Sequence, residues 1–186
     1  GHSGGAIATH NVKNSVIDGN FIMNYAHGRG GGIYVRESIS NSISGNIISN
    51  TVNQYGGGLR IYGSDYTEVN AKLIGNNADY GGGVFIQSSD NNSISGLIAS
   101  NTANLSGGGI RIASSSGNLF SGPIIGNNAD YGGGVHINVS DNNIFSGLIA
   151  SNTAANTGGG VYLGSGTGNV FTNFGLANSP NDVYTN

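Results

Sequence analysis

The chain has 186 residues with 6 Lys plus Arg against 9 Asp plus Glu, a formal charge of −3, and no cysteine. So few cations offer no basic patch able to neutralise a run of phosphates, which argues against a nucleic-acid partner. The missing cysteines exclude disulfides and thiolate sites, and no apolar run reaches membrane-spanning length. Charged residues are 8% of the chain and 35 residues are glycine. Without the three-residue period of collagen, that composition suits one domain only if its apolar residues are laid out economically.

The opening GHS (1–3) reads as a cloning remnant. From residue 4 to residue 186 a single domain is expected, because the chain repeats itself. A GGAI stretch starts at Gly4, and glycine triplets start at Gly30, Gly56, Gly81, Gly107, Gly132 and Gly158, each 25 or 26 residues after the last. A period of this length signals a solenoid whose units bury apolar surface only against their neighbours.

Numbering each unit from its first glycine, the fourth position reads Ile7, Ile33, Leu59, Val84, Ile110, Val135, Val161, and the sixth reads Thr9, Val35, Ile61, Ile86, Ile112, Ile137, Leu163. A variable residue lies between them, the alternation of a strand with one buried face. Two more apolar columns follow at the fourteenth position (Ile17 to Phe171) and the eighteenth (Phe21 to Ile149, broken by Gly175). Turn-forming Gly, Ser, Asn and Asp separate them and no helical period is present. An all-β parallel β-helix, or β-solenoid, of about seven coils is expected, each column packing on its own kind one rung away.

Two polar columns accompany the core. Asn24, Asn50, Asn76, Asn101, Asn127, Asn152 and Asn178 share the twenty-first position, and Asn41, Asn92, Asn118, Asn143 and Asn169 share the twelfth. An amide donates and accepts, so stacked Asn side chains can satisfy one another without water.

The GGAI at 4–7 and FIMN at 21–24 resemble the GGA(I/L/V) and FxxN repeats of chlamydial polymorphic membrane proteins, and the later GGGI/GGGV, IISN, LIGN and IASN stretches are a relaxed version of them. The resemblance implies a right-handed parallel β-helix that is exported, displayed on the cell surface or outside the cell, and adhesive. The sequence departs from that pattern in carrying GGG where the family has GGA.

Three functional readings follow from the outward positions. The fifth position runs Tyr34, Arg60, Phe85, Arg111, His136, Tyr162, and the seventh adds His10, Arg36, Tyr62 and Gln87. Aromatic rings beside guanidinium groups suit a glycan or a cell-surface receptor, although such neighbours also stabilise a sheet by cross-strand contact. The ligand-binding candidates are therefore Tyr34, Arg60, Tyr62, Phe85, Arg111, His136 and Tyr162. A second rank, Thr51, Asn77, Thr102, Asn128 and Thr153, has the regular spacing of an ice-binding face. The third reading is a polysaccharide lyase or epimerase, which would need clustered acids and bases. Asp65, Asp90 and Asp141 share one position, yet their Ser/Asn neighbours are those of a turn, and His136 lacks a catalytic partner, so no catalytic residue, metal site or cofactor is expected. Open strand edges at the two ends favour end-to-end self-association, although the stretch after Val170, NFGLANSPNDVYTN, is placed to fold over one of them.

Overall fold

A computed structural model describes residues 4–185; the opening GHS, expected to be a cloning remnant, lies outside the described residues. The chain winds as a parallel β-helix, each coil adding a rung to three sheets. The first sheet takes the strand after each glycine triplet: Ile7–His10, Ile33–Arg36, Leu59–Tyr62, Val84–Gln87, Ile110–Ala113, Val135–Asn138 and Val161–Leu163. Like pairs with like, as in Ile33 with Leu59 and Val84 with Ile110, so the repeat length sets the register.

The second sheet begins with three seven-residue strands, Val16–Ile22, Ser42–Ile48 and Glu68–Ile74, and then splits into pairs such as Ser93–Ile94 and Ile98–Ala99. Pro123 stands at one of these breaks, where it cannot donate to the ladder. The third sheet carries the short strands that lead into the triplets, including Thr51–Val52, Asn77–Tyr80, Thr102–Ser106, Asn128–Tyr131 and Thr153–Thr157.

One apolar core fills the lumen from Ile17 to Val161, its columns being those the alternation picks out. Phe120, Phe145 and Phe171 stack with centroids 4.4 and 4.9 Å apart. The twenty-first-position amides form a closed ladder. Asn76 Nδ2, for example, donates to Asn101 Oδ1 (3.0 Å) and to the Ile47 carbonyl (2.9 Å), and its backbone N–H donates to the same Asn101 Oδ1 (2.9 Å). A third ladder escaped the sequence reading. Backbone N–H groups of Ser38, Ser64, Ser89 and Ser115 donate to the Oγ of the serine one coil on, at 3.0 to 3.1 Å.

The tail extends the cylinder instead of merely lying over it. Asn178 continues the amide ladder from Asn152 (3.1 Å), and Val183–Thr185 pairs with Val161–Leu163 as an eighth rung of the first sheet. Phe174 packs against the core beside the place where Gly175 breaks its column, so a change of turn length, not a loss of strand character, breaks the sequence pattern after Val170.

Candidate functional site

The site arises from what the glycine triplet does to the chain. Gly56 has φ +70°, and a Cβ there would lie 2.9 Å from Arg60 Cβ and 2.6 Å from the Leu59 carbonyl oxygen. Only glycine permits both that backbone conformation and that approach. The hook sets the residue before each triplet beside the outer face of the first sheet. Arg29, Tyr55, Tyr80, Ser106, Tyr131 and Thr157 occupy that place, most of them joined rung to rung by parallel pairing.

This flanking column turns an outer face into a cleft. Arg29, Tyr34, Arg36, Tyr55, Arg60, Tyr62 and Gln87 enclose about 400 Å³. Arg60 forms its inner wall: the guanidinium carbon lies 4.5 Å from the Tyr55 ring centroid, 4.7 Å from Phe85 and 5.5 Å from Tyr62, and Nη2 donates to Gln87 Oε1 at 2.7 Å. Burial lowers the Arg60 pKa to about 10. At the rim Arg36 is held by Glu37, with Nη2 to Oε1 at 2.7 Å, and His10 Nε2 lies 2.8 Å from Glu37 Oε2.

Two rungs on, the same face is differently used. Arg111 Nη1 donates to Ser106 Oγ (2.8 Å) and to His136 Nδ1 (2.6 Å). Arginine is donor-only, so His136 accepts at Nδ1 and keeps its proton on Nε2. Desolvation, reinforced by the Arg111 charge, pushes the His136 pKa down to about 3. Its ring stacks on Tyr162 at 4.6 Å, and Tyr162 on Tyr184 at 5.2 Å.

The outward-facing fifth column is not open surface along its length. All its residues face away from the lumen, but Tyr34, Arg60, Phe85 and His136 are buried, and Arg111 and Tyr162 are half-buried. The flanking column covers them. Tyr34, Arg60 and Tyr62 meet in the cleft with Phe85 behind Arg60; Arg111, His136 and Tyr162 form the neighbouring stack. Arg29 and Tyr55 were missed, although their recurrence immediately before each triplet is a readable signal.

The alternative rank is in register on the third sheet, Thr51 with Asn77, Asn77 with Thr102, and Asn128 with Thr153, and is largely exposed. The register shifts just beyond it in three pairings, and Asn104 Nδ2 donates to Asp79 Oδ1 (2.8 Å) on this sheet, so the surface is neither regular nor uncharged. The aligned aspartates serve turns: Asp65 Oδ1 accepts from the Asp90 N–H, and Asp90 Oδ1 from the Ser116 N–H, both at 2.7 Å. Among the described residues no cluster of three or more His, Asp or Glu could hold a metal ion.

No curated protein and no solved structure matches the chain. A family model described as a right-handed beta helix region matches residues 6–176. That family spans pectate-lyase-like enzymes and non-enzymes alike. Matching repeat, parallel sheets and coil-by-coil register agree with it along nearly the whole length, and the chain belongs to the right-handed β-helix family.

Proposed function

We propose that this protein is a non-catalytic saccharide-binding module, exported and displayed outside the cell or on its surface, that captures a glycan of a cell or matrix in the cleft of the first sheet. The observation that carries this reading is the convergence of three Tyr, three Arg and one Gln on one cleft of about 400 Å³. Aromatic faces take the apolar face of a pyranose ring, while guanidinium, amide and phenol groups meet hydroxyl oxygens. The likeness of residues 4–24 to chlamydial surface repeats supports display and adhesion.

Non-catalysis rests on the chemistry of the lining. The residues lining the cleft include no carboxylate and no histidine, the rim carboxylate of Glu37 is taken up by Arg36 and His10, and an arginine of pKa about 10 stays protonated at neutral pH. His136 is too weak a base to help. The ice-binding reading ranks lower because the Thr/Asn rank lies beside a shifting register and an aspartate.

The test is a glycan array probed with the wild-type protein, Tyr55→Ala plus Tyr62→Ala, and Thr102→Tyr. Saccharide binding lost in the double variant and kept in Thr102→Tyr supports the reading. Absence of any saccharide binding, release of shortened or unsaturated products, or thermal hysteresis abolished only by Thr102→Tyr would overturn it.

A further inference from the structure

The charge of the cleft goes further than its shape. Four arginines serve the whole chain, and three of them, Arg29, Arg36 and Arg60, line this one cleft. Among the described residues the only ion pairs are those of Glu37 with Arg36 and His10. Arg29 and Arg60 thus stand on a protein of net charge −3 without an acidic partner, and the positive field is local to the cleft.

Arg60 is the more telling of the two because it is 97% buried, with 3% of its surface exposed. Nη2 has the neutral Gln87 amide oxygen and the Tyr34 phenol also bears on the guanidinium, but the buried Nε and Nη1 make no well-formed hydrogen bond and no carboxylate is among the residues that line the cleft with it. A guanidinium taken out of water without a counter-charge is costly to a fold, and the rings of Tyr55 and Phe85 offset only part of that cost. A purely structural role would be filled better by Met or Leu, which pack between the same rings without carrying a charge. Arg29 adds to the strain, since its charge opposes that of Arg60. An anion entering the cleft relieves both.

We infer that the sugar taken by this cleft is acidic, a ring bearing a carboxylate or a sulfate group, with Arg29 and Arg60 supplying the charge that meets it. This inference rests on the saccharide reading above. A neutral sugar would gain the stacking surface of the tyrosines and leave two cations uncompensated, whereas an acidic one gains charge-assisted hydrogen bonds or close Coulomb attraction in a partly desolvated site. Arg36, already held by Glu37, contributes donors more than net charge.

The experiment compares three ligands on the wild-type protein by isothermal titration calorimetry at low and high salt: a uronic-acid oligosaccharide, the same oligosaccharide with its carboxyl groups reduced to alcohols, and a sulfated oligosaccharide with a neutral backbone. Expected is about tenfold or greater preference for at least one acidic ligand over the neutral twin, weakened by salt. Which acidic ligand wins identifies the anion. In Arg60→Met the preference falls away while the unfolding midpoint holds or rises, an outcome a structural arginine would not give. Should that variant fail to fold, the exposed Arg29→Gln must show the same selective loss. Equal binding of the reduced twin would overturn the acidic inference and leave the saccharide reading standing. Failure of acidic and neutral saccharides alike to bind a folded protein would overturn both.

Discussion

Asn41 and Thr67 occupy the same turn position on consecutive coils, and each leaves a buried polar atom without a partner, Asn41 Nδ2 and Thr67 Oγ1. Further along the same column the amides close on one another, Asn92 Nδ2 to Asn118 Oδ1 at 3.0 Å and Asn118 Nδ2 to Asn143 Oδ1 at 2.9 Å. Threonine is too short to offer Asn41 an acceptor. Restoring the ladder with Thr67→Asn removes one orphan donor and one orphan hydroxyl, each worth about 1 kcal/mol or more when buried. The variant should gain about 1–3 kcal/mol in urea unfolding with an unchanged m-value. A loss of stability would mean that the turn cannot admit the larger side chain.

Val139 presents a second local conflict. Its φ is +50°, the left-handed conformation shared at the same position by Asn11, Glu37, Gly63, Ser88 and Ser114, and it is 62% exposed. A β-branched side chain is the least suited to that conformation, and exposure means that little packing compensates. Val139→Asn keeps the backbone N–H that donates to Ser165 Oγ and should stabilise by about 1 kcal/mol. Differential scanning calorimetry would show a higher midpoint; a lower one would reveal packing that exposure conceals.

These two sites show where the sequence was legible and where it was not. Repetition made the architecture readable, since Ile33, Leu59 and Val84 must stack on one another and stand at equal spacing. The cleft was only half readable. Alternation tells that Arg60 faces away from the lumen, but burial of an outward residue depends on what lies beside it, and that neighbour, Tyr55, comes from before the glycine hook. The Gly56 conformation that brings them together is a three-dimensional fact which the letters GGG permit without specifying its direction. Gaps in a column, as at Thr67, were visible as letters, but their cost appears only with the orphaned atoms.

His136 should make stability fall with acid. Its folded pKa of about 3 lies below its ordinary value of 6.5, so between those values the unfolded chain binds a proton that the folded chain refuses. The stabilising contribution is complete above pH 6.5 and is lost as the pH drops toward 3, on the order of a few kcal/mol in all. The physical causes are desolvation and the Arg111 guanidinium bonded at Nδ1. Thermal midpoints measured from pH 7 to pH 4 should fall more steeply for wild type than for His136→Gln, which cannot titrate. Parallel curves would show that solvent or a rearranged Arg111 accommodates the imidazolium.

The amide ladder carries the final prediction, because it ties the core to the cleft wall. Asn101 Oδ1 accepts from both the backbone N–H and the Nδ2 of Asn76, and Asn101 Nδ2 donates to the Leu73 carbonyl and to Asn127 Oδ1, all at 2.9 to 3.0 Å and all buried. Asn101→Ala strands the Asn76 N–H in a dry turn and weakens the remaining partners, a cost of about 3 kcal/mol or more. The half-buried Asn46, whose Nδ2 donates to Asn20 Oδ1 at 2.6 Å in a solvent-exposed bond, offers the control: Asn46→Ala should change stability by less than about 0.5 kcal/mol, since water replaces the lost bond. A Cβ on Gly83 would lie 3.0 Å from Asn101 Nδ2, so the ladder packs directly under the triplet that shapes the outer wall. Hydrogen exchange at Gly81, Gly82 and Gly83 should therefore quicken in Asn101→Ala under native conditions while distant amides, such as that of Ile33, exchange as before. Uniform acceleration would show that the coils open only together, and unchanged exchange at the triplet would show that the wall stands without its ladder.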